Sequence, residues 1–118
     1  MEGSSDKRVY YIVNLEIQKE IEEDFKQWLD AHVEEMIEQI DGFISAEVQH
    51  VDLVGAENDD LVRLACRYTV RDYEALKEYF ETGAKKMRGD GLKRFGDKFK
   101  ASRTVLHTPF KVFPKSEQ

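Results

Sequence analysis

Between Val9 and Ile17 every second residue is apolar. Val9, Tyr11, Val13, Leu15 and Ile17 share one face, and Tyr10, Ile12, Asn14 and Glu16 share the other. A two-residue period of this kind belongs to a strand with one dry side. Such a strand is stable only inside a sheet that something else covers. The period returns at Leu61–Val70, where Val62, Leu64, Cys66, Tyr68 and Val70 oppose Arg63, Arg67 and Thr69. Shorter runs recur at Phe43–Val51, with Ile44, Ala46 and Val48 on the apolar side, and at Phe99–His107, which Pro109 ends. The chain therefore has four strands and an apolar sheet face to bury.

The cover is helical. From Gln18 to Ile40, the residues Ile21, Phe25, Trp28, Leu29, His32, Met36 and Ile40 recur at three- and four-residue steps and form one stripe. Glu20, Glu22, Glu23 and Asp24 occupy its opening turns, where the helix dipole favours negative charge. Asp41-Gly42 supplies the stop. A second helix follows the third strand, with Thr69 and Asp72 spaced as a capping box. Its predicted stripe is Tyr73, Leu76, Phe80, Gly83, Ala84 and Met87. Gly89-Asp90-Gly91 is predicted to break it, with Leu92–Phe95 adding one more turn before Gly96.

The order strand, helix, strand, strand, helix, strand predicts an α+β fold of ferredoxin-like βαββαβ order, with two helices on one face of a four-stranded antiparallel sheet. The expected boundaries are a disordered N-terminus over residues 1–8, a single domain over 9–108 and a tail over 109–118. The uncovered face mixes Asn14, Glu16, Glu47, Gln49, Arg63, Arg67, Ser102 and Thr104 with Ile12, Ala65 and Leu106. Either it is wet, or two such sheets pack face to face as a homodimer. The apolar tail, Phe110, Val112 and Phe113, would then wrap the partner.

The elements Tyr11–Leu15, Trp28-Leu29 with Ala31-His32, Gly42–Ala46, Cys66–Thr69 and the closing run Phe95–Thr104 together resemble a bacterial family known only as a domain of unknown function, number four-two-eight-six. That family is similar to the dimeric α+β barrel superfamily. The resemblance covers about residues 9–107. Glu34 stands where the family often has proline, and the 52–60 loop and the tail after His107 are peculiar to this chain. The resemblance implies a dimeric α+β barrel fold but no fixed activity. The wider superfamily holds cofactor-free monooxygenases, polyketide-ring cyclases, haem-degrading proteins and regulatory ligand-binding domains, and fold does not choose among them.

Charge sets further limits. The net charge of −6 argues against general DNA binding, yet residues 1–60 hold 17 acids and 4 bases whereas residues 61–118 hold 7 acids and 14 bases. The segment 85–103 carries eight cations, Lys85, Lys86, Arg88, Lys93, Arg94, Lys98, Lys100 and Arg103, against Asp90 and Asp97. This is either a solvated face that meets the acidic first helix or a lure for an anionic ligand. Base-stacking aromatics are not spaced along it, so no nucleic-acid partner is expected. No run of apolar residues is long enough for a membrane span, no signal core is present, and the single cysteine suits a reducing compartment, so the expected location is cytoplasmic.

Chemistry centres on His32. Its place on the apolar stripe points the imidazole into the helix–sheet layer. There it is either a core histidine bonded to a carbonyl or tyrosine or a pocket acid/base whose pKa burial tunes. Tyr68 on the third strand, Tyr79 beside the second helix's stripe and Arg103 on the fourth strand join it. A guanidinium in an apolar layer needs a partner, with Asp97 the local choice, or a ligand such as a carboxylate or enolate. Trp28, His32, Tyr68, Tyr79 and Arg103 are therefore the candidate ligand-binding residues, with His32 the candidate catalytic residue.

No metal site is expected, since His32, His50 and His107 lack paired spacing and Cys66 reads as a buried hydrophobe. No cofactor fingerprint or nucleophile elbow occurs. Three functions stay open. One is a small-molecule binder, neutral or anionic in its ligand. The second is a cofactor-independent monooxygenase or cyclase with His32 as base, and the third is a structural or interaction module.

Overall fold

The computed structural model of the chain describes residues 6–55 and 59–116. Strand β1 (Val9–Gln18) leads through a 3-10 turn at Lys19–Ile21 into helix α1 (Glu22–Gln39). Strands β2 (Phe43–His50) and β3 (Leu61–Val70) follow, then helices α2 (Tyr73–Thr82) and α3 (Ala84–Phe95). A second 3-10 turn, Gly96–Lys98, leads into strand β4 (Phe99–Leu106). The sheet order is β2-β3-β1-β4, every pairing antiparallel. This is the ferredoxin-like arrangement that the element order predicts.

Register aligns the dry faces. Tyr11 pairs with Tyr68, Val13 with Cys66 and Leu15 with Leu64. On the other side Val13 meets Arg103, Leu15 meets Ala101 and Ile17 meets Phe99. Because side-chain direction alternates, one register puts all of these on the helix side. Phe25, Leu29 and Met36 of α1 bury against them. Gly42 ends the helical turn with φ +88°, in the region that favours glycine. A Cβ there would also stand 2.5 Å from Ala75 Cβ.

Three local expectations change. In β2 a register shift between Phe43 and Ser45 turns Phe43 into the core and leaves Ile44 51% exposed, although alternation places Ile44 on the dry side. Thr69 does not cap a helix. It pairs with Tyr10 inside β3, and Asp72 is the N-cap, its carboxylate accepting from Ala75 N at 2.8 Å.

The third change is the largest. The helical break falls at Gly83, not at Gly89-Asp90-Gly91, and α3 runs unbroken through that triplet. The break resets the helical phase. Ala75, Leu76 and Tyr79 are buried on α2 and Ala84, Met87, Gly91 and Phe95 on α3, while Tyr73 and Phe80 of the predicted stripe turn outward. Gly91 is a packing residue: a Cβ on it would lie 3.0 Å from Trp28 Cη2 and 3.3 Å from Phe99 Cζ.

Candidate functional site

The helices and the sheet do not close fully on one another. Between them lies a cavity of about 460 Å³. Val13, Leu15 and Ala101 contribute the sheet side, and Leu29 and Met36 line it from α1. Towards one end of β1, Phe25 packs 5.5 Å from Trp28 and 5.0 Å from both Phe95 and Phe99, centroid to centroid. Towards the other, Tyr11 stacks on Tyr68 at 5.8 Å and meets Tyr79 edge-on at 6.0 Å. Rings from both clusters line the space between them.

All five residues singled out by the sequence, Trp28, His32, Tyr68, Tyr79 and Arg103, line this cavity. Tyr68 and Tyr79 are buried at 2% and 3% exposure. Burial pushes both phenols up, so they keep their protons. At Tyr79 the guanidiniums of Arg88 and Arg103 pull the other way.

His32 is half-buried. Its ring lies flat on Trp28, and among the described residues it makes no hydrogen bond to a carbonyl or a tyrosine. Burial lowers its pKa from 6.5, Glu35 and Asp90 act to raise it, and Lys86 acts to lower it. The ring is therefore mainly neutral at neutral pH and available to accept a proton.

Arg103 differs from its expected setting. It projects from the helix-side face of β4 beside Val13, but β4 is an edge strand and the side chain reaches water. Neither Asp97 nor any other described carboxylate pairs with it.

Among the polar side chains that line the cavity, the sequence reading missed Tyr11 and Arg88. Arg88 Nη2 donates to Tyr11 Oη at 3.4 Å. The signal for Arg88 was hidden by the expected break at Gly89. On a helix that continues, Arg88 and Leu92 sit one step beside the buried Met87–Gly91–Phe95 stripe and border the cavity. Cys66 also lines the cavity, and burial pushes its thiol up to about 12, which makes it inert.

A second cleft of about 380 Å³ touches Arg63, but that guanidinium is already bound to Glu16 at 3.1 Å and Asp59 at 2.6 Å. Among the described residues no group of three or more His, Cys, Asp or Glu side chains could hold a metal ion, and no helix is long and apolar enough to cross a membrane.

Residues 8–108 match the model of a domain of unknown function, DUF4286. The chain belongs to that family. No curated protein matches this DUF4286 chain. Among solved structures it is similar to a dimeric ferredoxin-like protein from an uncultured marine organism, at 14% identity and a TM-score of 0.63, covering 89% of this chain and 98% of that one. It is also similar to a candidate antibiotic biosynthesis monooxygenase from Bacillus cereus, at 14% identity and TM-score 0.60, over 92% and 99% of the two chains. A de novo designed protein shares the fold as well, at 16% identity and TM-score 0.54, over 89% and 100%. At these identities the likeness is one of fold, and fold alone does not decide function.

Proposed function

We propose that this DUF4286 protein binds a small organic ligand in the helix–sheet cavity. The observation that carries this is the 460 Å³ space itself, walled by aromatic and aliphatic side chains with a few polar groups at its margin. Protein interiors hold few voids larger than a water molecule, and a concave, mostly apolar space of this size is what small-molecule sites look like. Trp28 is the single tryptophan and lines the cavity, so its emission reports occupancy. Titration with a panel of small aromatic compounds should shift that emission, and Val13→Phe, which places a ring in the space, should abolish the shift. An identical response from Val13→Phe would remove the reading.

His32 supports a second reading, that of a cofactor-independent oxygenase or cyclase. Its neutral ring faces the cavity without a competing hydrogen bond, and one solved neighbour is a candidate monooxygenase. Oxygen uptake with electron-rich dihydroxyarenes, lost in His32→Ala while the Tm moves by only a few degrees, would establish it. Turnover retained by His32→Ala would exclude His32 as base.

Self-association fits the same architecture. One neighbour is a dimeric protein, Leu106 is 49% exposed on the open sheet face, and Phe110, Val112 and Phe113 stand 71–101% exposed in the tail. The proposed partner is a second copy. Sedimentation should show a dimer that deletion of residues 109–118 weakens without affecting the cavity; a monomer at all concentrations contradicts it.

A further inference from the structure

The mouth of the cavity lies between α3 and the edge strand β4, bordered by Arg88, Leu92 and Arg103. Two of these three are cations, whereas the inner wall carries no charge apart from the neutral-leaning His32. Arg88 and Arg103 approach the opening from opposite elements, α3 and β4.

Among the described residues neither has a carboxylate partner; Arg88 makes one long hydrogen bond, to Tyr11 Oη, and its guanidinium lies 5.9 Å from the centroid of the Phe80 ring. The acids nearest on the helical side are already taken: Lys86 holds Asp90 at 3.2 Å and Glu35 at 3.7 Å. Two forked donors without counter-charge, at the lip of an apolar space, match the two oxygens of one planar carboxylate. The rings lining the interior, Tyr11, Phe25, Trp28, Tyr68 and Phe99 among them, match a flat body.

We propose that the ligand is an aryl monocarboxylate, with its carboxylate held between Arg88 and Arg103 at the mouth and its ring system inward against the aromatic wall. This rests on the ligand-binding reading above and adds the class of ligand and the residues that select it. The Tyr11 hydroxyl, already touching Arg88, is placed to orient that guanidinium towards the opening.

Calorimetry on the full chain tests this with three probes: 2-naphthoate, its neutral counterpart 2-naphthamide, and octanoate. Naphthoate should bind about tenfold or more tighter than the amide, since charge-assisted bonds are the strong ones. Arg88→Gln and Arg103→Gln should each weaken naphthoate about tenfold and leave the amide unchanged. Both side chains are exposed, so both variants should retain the parent Tm.

Equal affinity for naphthoate and amide, or unaltered naphthoate binding by both variants, overturns the arginine clamp while leaving the pocket standing. Octanoate binding tighter than naphthoate overturns the aryl preference. No binding of any probe, charged or neutral, overturns the pocket reading along with the clamp.

Discussion

The imidazole of His32 lies parallel to the indole of Trp28, with ring centroids 4.6 Å apart and planes 17° from parallel. The two are four residues apart on α1, the spacing that places side chains one above the other. The histidine is thus positioned by stacking, and among the described residues its nitrogens make no hydrogen bond.

That arrangement has a pH signature. Burial holds the folded pKa of His32 below 6.5. Above that value the ring is neutral in both states and adds no pH dependence. As pH falls below it, the unfolded chain takes up the proton first, so stability declines until the folded pKa is reached. The Tm should fall between roughly pH 7 and pH 5 more steeply in the parent than in His32→Phe, which keeps the stack. The imidazole NMR titration should have its midpoint below 6.5; a midpoint above it contradicts the burial effect.

The two glycines of α3 should respond in opposite directions. Around Gly89 an added Cβ meets nothing within 4 Å, so Gly89→Ala should stabilise by about 0.5–1 kcal/mol through helix propensity. Gly91→Val drives a branched side chain into Trp28 and Phe99 and should cost about 1–3 kcal/mol. Denaturant midpoints measure both. Equal, small effects would mean that the helix does not pass through this triplet.

Asp72→Ala removes the carboxylate that accepts from Ala75 N and should cost about 1 kcal/mol. Asp72→Asn should recover most of it, because an amide oxygen caps as well. Chemical denaturation distinguishes the two, and a loss shared equally by Asn would point to the charge instead of the cap.

Cys66, with its thiol pushed up to about 12 and its side chain 1% exposed, should resist iodoacetamide in the folded protein at neutral pH and react fully in denaturant. Mass spectrometry reads the adduct. Rapid labelling of the native chain would show that the cavity admits the reagent to the thiol.

Much of the site was legible because strand alternation and helical spacing fix which face a residue occupies. Tyr68, Trp28 and His32 sit where those periods place them, and Arg103 projects from the helix-side face of β4 as predicted. Arg88 was not legible, because Gly89-Asp90-Gly91 carries the composition of a turn. The triplet stays helical because Gly91 lets Trp28 and Phe99 approach α3 closely. Ile44 was misplaced for a similar reason: a bulge adds one residue and shifts the alternation on one side of it.

The sequence by itself determined the order of elements, the dry face of each long strand and the glycine at the end of α1, since all three follow from local side-chain direction and backbone freedom. Only the tertiary structure decided that helix phase resets at Gly83, that β4 lies at an edge where Arg103 meets water, and that the layers leave a cavity between two aromatic clusters. Those depend on the distances between elements, which ring size and close backbone approach set jointly and which no single stretch of chain encodes.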